Sequence, residues 1–324
     1  VTVLVTGASG LLGGAVARAL VERGEDVRTL QRRPSGVAGA RDVAGSVTDP
    51  DAVAAAVAGV DAVVHLAARV SLAGPRTEFD AVNIGGTTTL LDAAERAGVT
   101  RFVQVSSPSV AHGGSSLVGV TAQPADPARA RGDYARTKAA AELLALDRDR
   151  GDGGLAVVAV RPHLVWGPGD TQLVERVLDR ARRGRLPLLD QGAALIDTLY
   201  VDNAADGIVA ALDRAPAVHG RVYVLTNGEP RTVADLMTGI CLAGGVRPPA
   251  WRVPAGAARA AGALVEAVWR LRPGTDEPPM TRFLAEQLST AHWFDQRATR
   301  ADLRWRPAVG LDEGFARLAA HYGT

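Results

Sequence analysis

The sequence holds one cysteine, Cys241, and one lysine, Lys138, in 324 residues. A single cysteine excludes an internal disulfide and any cysteine-built zinc site, and suits a reducing cytoplasm. The six histidines fall singly, without ligand spacing, so no metal centre is expected. Long apolar runs are missing as well. The most membrane-like stretch, 256–271, is interrupted by Arg259, Glu266 and Arg270 and reads as a helix over a pocket, not a span. No block of one charge sign stands out: the formal net charge is +1 with scattered arginines, which argues against a nucleic-acid partner. No charged n-region or cleavage site precedes the first strand, so no secretory signal is expected. Repeats, low-complexity tracts and long linkers are absent too. The 47% hydrophobic and 22% charged content is that of a globular chain with ample core.

Against this background the solitary lysine draws attention. Every other fixed cation is arginine, so Lys138 stands where a compact ammonium on a flexible stem is needed and a planar guanidinium does not serve. Tyr134, one of four tyrosines, lies four residues upstream. On a helix that spacing sets both side chains on one face. A nearby cation favours the phenolate of a tyrosine that is otherwise a poor acid-base group at neutral pH.

The chain opens on a β-branched run, Val1–Val5, expected as a buried parallel strand. Thr6-Gly-Ala-Ser-Gly-Leu-Leu-Gly13 follows at once and leads into an apolar-periodic helix, Leu11–Glu22. Glycines 7, 10 and 13 supply a tight turn, close approach of backbone to a pyrophosphate, and close packing of helix on strand. The helix N-terminus then offers free N–H groups to phosphate. A dinucleotide is therefore expected along Gly7, Ser9, Gly10, Leu11, Leu12 and Gly13. The second strand, Asp26–Leu30, ends in Gln31-Arg32-Arg33. An acidic residue there marks NAD and an arginine accommodates the 2′-phosphate of NADP, so Arg32 and Arg33 predict NADP(H). A third strand, Asp42–Ala44, precedes Asp49-Pro50, where Asp49 caps the helix Pro50–Ala58 and, with Val47, is placed at the adenine edge. The fourth strand, Val60–Leu66, delivers His65-Leu66-Ala67-Ala68, whose small residues let a cofactor lie against the backbone. His65 itself reads as a packed histidine. A helix is expected over Arg76–Gly98, with Asn83 holding backbone or water beneath the site. Strand Arg101–Val105 carries Ser106 and Ser107 to the same sheet edge. Helix Asp133–Leu146 and strand Ala156–Val160 follow. The alternation predicts an α/β Rossmann-type doubly wound parallel sheet.

These residues together resemble the extended short-chain dehydrogenase/reductases, over nearly the whole chain. The resemblance rests on Thr6-Gly-x-x-Gly-x-x-Gly13, His65-Leu-Ala-Ala68, a serine after strand five, Tyr134-x-x-x-Lys138, and Arg161-Pro162 with Trp166-Gly-Pro-Gly-Asp170. Within that superfamily the chain resembles the 3β-hydroxysteroid dehydrogenase-like branch. It looks most like the bacterial 2-alkyl-3-oxoalkanoate reductases of long-chain olefin biosynthesis, through Ser107-Pro-Ser-Val-Ala-His112, Arg161-Pro-His-Leu-Val-Trp166, Thr226-Asn-Gly-Glu-Pro230, Thr281-Arg-Phe283 and His292-Trp-Phe294. The resemblance implies Ser107 as catalytic serine, with Ser106 the fallback. It also implies Tyr134 as general acid in ketone reduction and Lys138 as the group that lowers the tyrosine pKa and binds the nicotinamide ribose. Pro162, His163 and Val165 then run past the nicotinamide. Residues 1–165 form the NADP-binding domain, completed by about 193–228, and 166–324 form a mostly helical substrate-binding region. Pairing through Arg76–Ala97 and Asp133–Leu146 into a homodimer, and association with other olefin-pathway enzymes, are implied as well.

Two features stay open at this level. Arg180, Arg182, Arg183 and Arg185 attract an acidic substrate or form a solvated face. Trp251, Trp269, Phe283, Trp293 and Phe294 line an apolar lid or fill a second small core. The function expected is NADPH-dependent reduction of a 2-alkyl-3-oxoalkanoate. A hydroxysteroid or nucleotide-sugar substrate, or a non-catalytic NADP-binding regulator, are the alternatives. The nucleotide-sugar dehydratases carry acids after strand five, where this chain has Pro108-Ser109.

Overall fold

The computed structural model describes all residues except 72, 73, 152, 271–281 and 324, and the side chains of 266–270 and 282–284 are also left aside. Seven parallel strands form the central sheet: β1 (Thr2–Thr6), β2 (Asp26–Gln31), β3 (Arg41–Ala44), β4 (Ala62–His65), β5 (Arg101–Val105), β6 (Ala156–Pro162) and β7 (Val222–Leu225). Their order is β7-β6-β5-β4-β1-β2-β3. The chain therefore winds outward from β1 to β3, returns, and builds β4 on the other side of β1. That reversal leaves a crevice at the carboxyl ends of β1 and β4, where ligands of open α/β sheets bind. Register fixes its walls, because Thr6 pairs with His65 across β1 and β4.

One face of the sheet is covered by α1 (Leu11–Glu22) and a later helix, Val201–Val218; the other is covered by α2 (Pro50–Val57), α3 (Gly86–Arg96) and α4 (Gly132–Asp147). Near-continuous Val, Leu and Ala in β1, β4 and β6 are what a strand buried on both faces requires. Asp49 caps α2 as expected, accepting from Asp51 N at 3.0 Å and Ala52 N at 3.3 Å.

The long helix expected over Arg76–Gly98 is broken into three. A turn at Arg76–Phe79 gives way to a π-helical stretch, Asp80–Gly85, before α3. The cause lies at Asn83. Its Oδ1 accepts from Arg69 N at 2.7 Å and its Nδ2 donates to Thr137 Oγ1 at 2.9 Å. The widened turn lets this side chain reach both the segment after β4 and the catalytic-helix candidate α4.

A second, four-stranded sheet gathers Arg231–Thr232, Leu195–Ile196, His292–Phe294 and Leu117–Val120. The later helices are α5 (Val174–Arg182), α6 (the Val201–Val218 helix on the central sheet), α7 (Val233–Ala243), α8 (Ala255–Arg270) and α9 (Arg282–Ser289). Thr232 caps α7 by accepting from Asp235 N at 3.0 Å.

Candidate active site

The glycine loop is shaped by contacts that no larger residue permits. Gly7 has φ +77°, and a Cβ there would stand 2.9 Å from Ala67 N. A Cβ on Gly13 would stand 2.3 Å from Gly7 O. Gly10, the residue before α1, has no side-chain cap, so the first-turn amides of α1 stay open. Ser9 is half-buried, and Leu11 and Leu12 pack their side chains on the core beneath. Thr6 Oγ1 accepts from Leu66 N and Ala67 N, both at 3.1 Å, and lies 2.7 Å from His65 Nδ1. Leu66, Ala67 and Ala68 are thus pinned against the loop. Arg32 and Arg33 are exposed just past β2, while Gln31 is buried and donates to Thr29 Oγ1. Val47 is a core residue, since a Cβ on Gly86 would meet its Cγ2 at 2.6 Å. A glycine loop packed closely on Ala67 and an open helix N-terminus fit a dinucleotide.

His65 is a packed, neutral histidine. Its Nε2 lies 3.0 Å from Thr87 Oγ1. Burial, with the charge of Lys138 adding to it, pushes its pKa down to about 3.

Helix α4 presents Tyr134 and Lys138 toward the end of β5. Lys138 is buried and donates to the carbonyl of Val105. Tyr134 is half-buried, lines a cavity beside Ser107 and hydrogen-bonds it. Ser107 also accepts from Ser109 Oγ at 2.9 Å. Ser106 does not line the cavity; its Oγ is buried and its N donates to Val160 O at 2.7 Å. Of the two serines, geometry favours Ser107.

The electrostatics differ from expectation in one respect. Burial pushes the Tyr134 hydroxyl up to about 12, and the bond to Ser107 opposes this. Lys138 is pulled down to about 8 by burial, against the raising effect of Glu142. The protein alone does not make this phenol acidic; it keeps it protonated across neutral pH, the state a proton donor needs.

The cavity next to these groups has a volume of about 290 Å³. Val233, Leu236, Met237 and Ile240 of α7 form one wall, an i, i+3, i+4, i+7 stripe. Phe294, Leu117 and Ile196 of the small sheet form another. Leu164 contributes from a left-handed backbone, φ +45°, a conformation costly for leucine and held here at a cavity wall. Arg176 is the one charged side chain lining the cavity among the described residues.

Three histidines from distant segments meet at its edge. His112 Nε2 and His292 Nε2 are 2.9 Å apart, and the rings of His163 and His292 stand 5.9 Å centre to centre. Burial lowers His112, and holds His163 near about 4 and His292 near about 3. His163 Nδ1 lies 2.7 Å from the carbonyl of Asp197. Asp197 itself, raised to about 6 by burial, accepts from Thr226 Oγ1, Gly228 N and Glu229 N. The Thr226-Asn-Gly-Glu segment is therefore a cradle for a buried carboxylate.

Several sequence readings change in this light. The Arg161 guanidinium at the start of the segment placed past the nicotinamide is buried against Glu142, 2.8 Å from Nε to Oε2. Pro162 is buried and Val165 half-buried beside it. Of the aromatics placed in a lid, Phe294 lines the cavity, Trp293 packs over Gly119 and Trp251 is exposed. The side chains of Trp269 and Phe283, and Thr281, lie outside the described residues. Trp166, with Nε1 donating to Thr198 Oγ1 at 2.9 Å, lines the cavity instead. Arg176 and the α7 stripe went unnoticed in sequence; the stripe's helical period was the signal available.

Residues 3–226 match the model of the NAD dependent epimerase/dehydratase family. The chain belongs to that family. Among its relatives, the 2-alkyl-3-oxoalkanoate reductase of Stenotrophomonas maltophilia (strain K279a) is 40% identical over 98% of each chain. The 3 beta-hydroxysteroid dehydrogenase/Delta 5-->4-isomerase of Mycobacterium tuberculosis (strain ATCC 25618 / H37Rv) is 32% identical, covering 99% of this chain and 90% of its own. A short-chain dehydrogenase/reductase superfamily protein from Agrobacterium tumefaciens with bound NAD superposes with a TM-score of 0.77 at 25% identity, covering 99% of this chain and 97% of its own. As an epimerase/dehydratase family member with ketoreductase-named relatives, this chain is an NAD(P)-dependent oxidoreductase.

Proposed function

We propose that this oxidoreductase uses NADPH to reduce the ketone of an apolar β-keto acid, converting a 2-alkyl-3-oxoalkanoate to the 2-alkyl-3-hydroxyalkanoate of long-chain olefin biosynthesis. The observation that carries the reading is the apolar cavity shared by Ser107, Tyr134 and the α7 stripe. Such a wall favours alkyl chains over a sugar nucleotide. Arg176 receives the carboxylate, and the exposed Arg32 and Arg33 receive the 2′-phosphate.

When bound along the glycine loop, the nicotinamide cofactor supplies the hydride. The protein supplies the rest. Ser107 donates a hydrogen bond to the ketone oxygen, and Tyr134, still protonated at neutral pH, gives its hydrogen to that oxygen as it becomes an alkoxide. Lys138 provides the positive charge near the phenolate left behind. One hydride and one proton are consumed for each secondary alcohol formed.

A steroid fits an apolar wall as well, and the mycobacterial relative's name keeps that reading in view. The deciding measurement is NADPH consumption with a 2-alkyl-3-oxo acid, a 3-ketosteroid and a 4-keto sugar nucleotide. Preferential turnover of the keto acid supports the proposal; preferential turnover of either other ketone overturns it. Tight NADPH binding without turnover of any of the three ketones also overturns it.

A further inference from the structure

Three of the most exposed large apolar side chains lie in the substrate-binding region: Leu264 at 68%, Leu242 at 61% and Trp251 at 48%. Trp251 leads into Arg252–Val253, which pairs in parallel with Leu188–Leu189, and Leu188 N donates to Trp251 O at 3.0 Å. That pairing sets Arg252 opposite Leu188, which follows the exposed Arg182, Arg183 and Arg185 in the chain. Next to it is a recess of about 250 Å³ walled by Arg180, Arg183, Arg185 and Asp179 over Leu186, Leu189 and Leu288, with Arg183 Nε paired to Asp179 Oδ1 at 2.9 Å and the arginines still in excess. Leu288 also lines the substrate cavity, so recess and cavity share a wall. Leu264 stands on α8, which packs on the same layer through Ala258 against Leu189 and Ala285. Residues 174–190 and 242–265 together carry eight arginines against three carboxylates, in a chain whose net charge is only +1.

We propose that this face docks on an anionic lipid bilayer. Trp251 and Leu264 enter the boundary between headgroups and acyl chains, and Arg182, Arg183, Arg185, Arg247 and Arg252 meet the lipid phosphates. Exposed tryptophan and leucine among arginines are what an interfacial surface needs. A two-fold contact with a second copy would bring the same arginines toward each other. An acidic protein partner would match the arginines but would not call for insertion of Trp251 and Leu264. No helix among the described residues is long and apolar enough to cross a membrane, so the association is peripheral. Docked this way, the wall shared through Leu288 lies close to the bilayer, a short path for an apolar ketone. Docking does not depend on which ketone is reduced.

The test is co-sedimentation of the full chain with phosphatidylcholine vesicles, with and without phosphatidylglycerol. Binding to the phosphatidylglycerol vesicles alone, weakened by salt, is expected. The triple variant Arg182→Ser, Arg183→Ser, Arg185→Ser should abolish it. Leu264→Glu should weaken it about tenfold or more. The blue shift of tryptophan emission on binding should shrink in Trp251→Phe. Turnover of a short, water-soluble keto acid should be unchanged in these variants, which reports that they are folded. No binding to anionic vesicles, binding indifferent to lipid charge, or wild-type binding by the variants overturns the proposal. So does a concentration-dependent dimer that Leu264→Glu dissociates, because the face is then a self-interface.

Discussion

Lys138 donates its hydrogen bond to the main-chain carbonyl of Val105, one residue before the Ser106–Ser107 pair. The ammonium is thus held at the end of β5, and burial brings its pKa down to about 8. Its charge is complete below that value and is lost as pH rises through it. Tyr134, at about 12, stays protonated over the same range. The kcat/KM for ketone reduction should therefore fall on the alkaline side with a midpoint near 8, since kcat/KM reports the free enzyme. A flat profile to pH ~10 would remove Lys138's charge from the mechanism.

Tyr134→Phe should fold normally and lose about 10²- to 10⁴-fold in kcat, the usual contribution of positioned proton transfer. Lys138→Met should lose activity as well and show no alkaline limb. Circular dichroism and thermal melts establish that the folds survive. Full activity in Tyr134→Phe ends the assignment of that residue as the acid.

Gly13→Ala asks for a Cβ at 2.3 Å from Gly7 O, a backbone atom that cannot swing aside. The variant should lose about 1–3 kcal/mol of stability and bind NADPH weakly. Gly10→Ala meets Gly7 O at 3.4 Å and should be far milder. Thermal melts and fluorescence titration with NADPH rank the two, and equal effects would contradict the packing described.

Arg32→Ser with Arg33→Ser tests the cofactor preference. Loss of charge-assisted hydrogen bonds worth about 1.5–3 kcal/mol should raise the KM for NADPH about 10- to 100-fold and leave NADH unaffected. Equal changes for both cofactors would place the 2′-phosphate elsewhere.

His65, His163 and His292 are neutral in the folded protein, with pKa values near 3, 4 and 3, below the 6.5 of an unfolded chain. Below pH 6.5 the unfolded state takes up protons that the folded state refuses. Stability should be complete above that pH and fall steadily as pH drops toward the folded-state values, with up to three protons taken up on unfolding. Urea melts across this range measure the slope. A His292→Gln variant should flatten it by about one proton.

The parallel strands, the capped helix at Asp49 and the helix after the glycine loop were readable because each rests on local rules. β-branched runs, a proline after a capping aspartate, and glycines where backbone approaches backbone leave marks within a few residues. The π-helical stretch around Asn83 was not readable as such. It exists because that side chain bonds Arg69 and Thr137, and the latter is 54 residues away. The buried partner of Arg161 was unreadable for a similar reason: nothing near Arg161 in sequence announces Glu142.

From the order of residues alone came the nucleotide loop, the spacing that turns Tyr134 and Lys138 to one side of α4, and the doubly wound sheet, all of them products of short-range periodicity and turn chemistry. Tertiary structure decided which serine meets the phenol, that burial raises the Tyr134 pKa, and that His112, His163 and His292 share one wall. Those outcomes depend on how far each group is removed from water and on which distant segment lies against it, quantities that exist only once the chain has closed on itself.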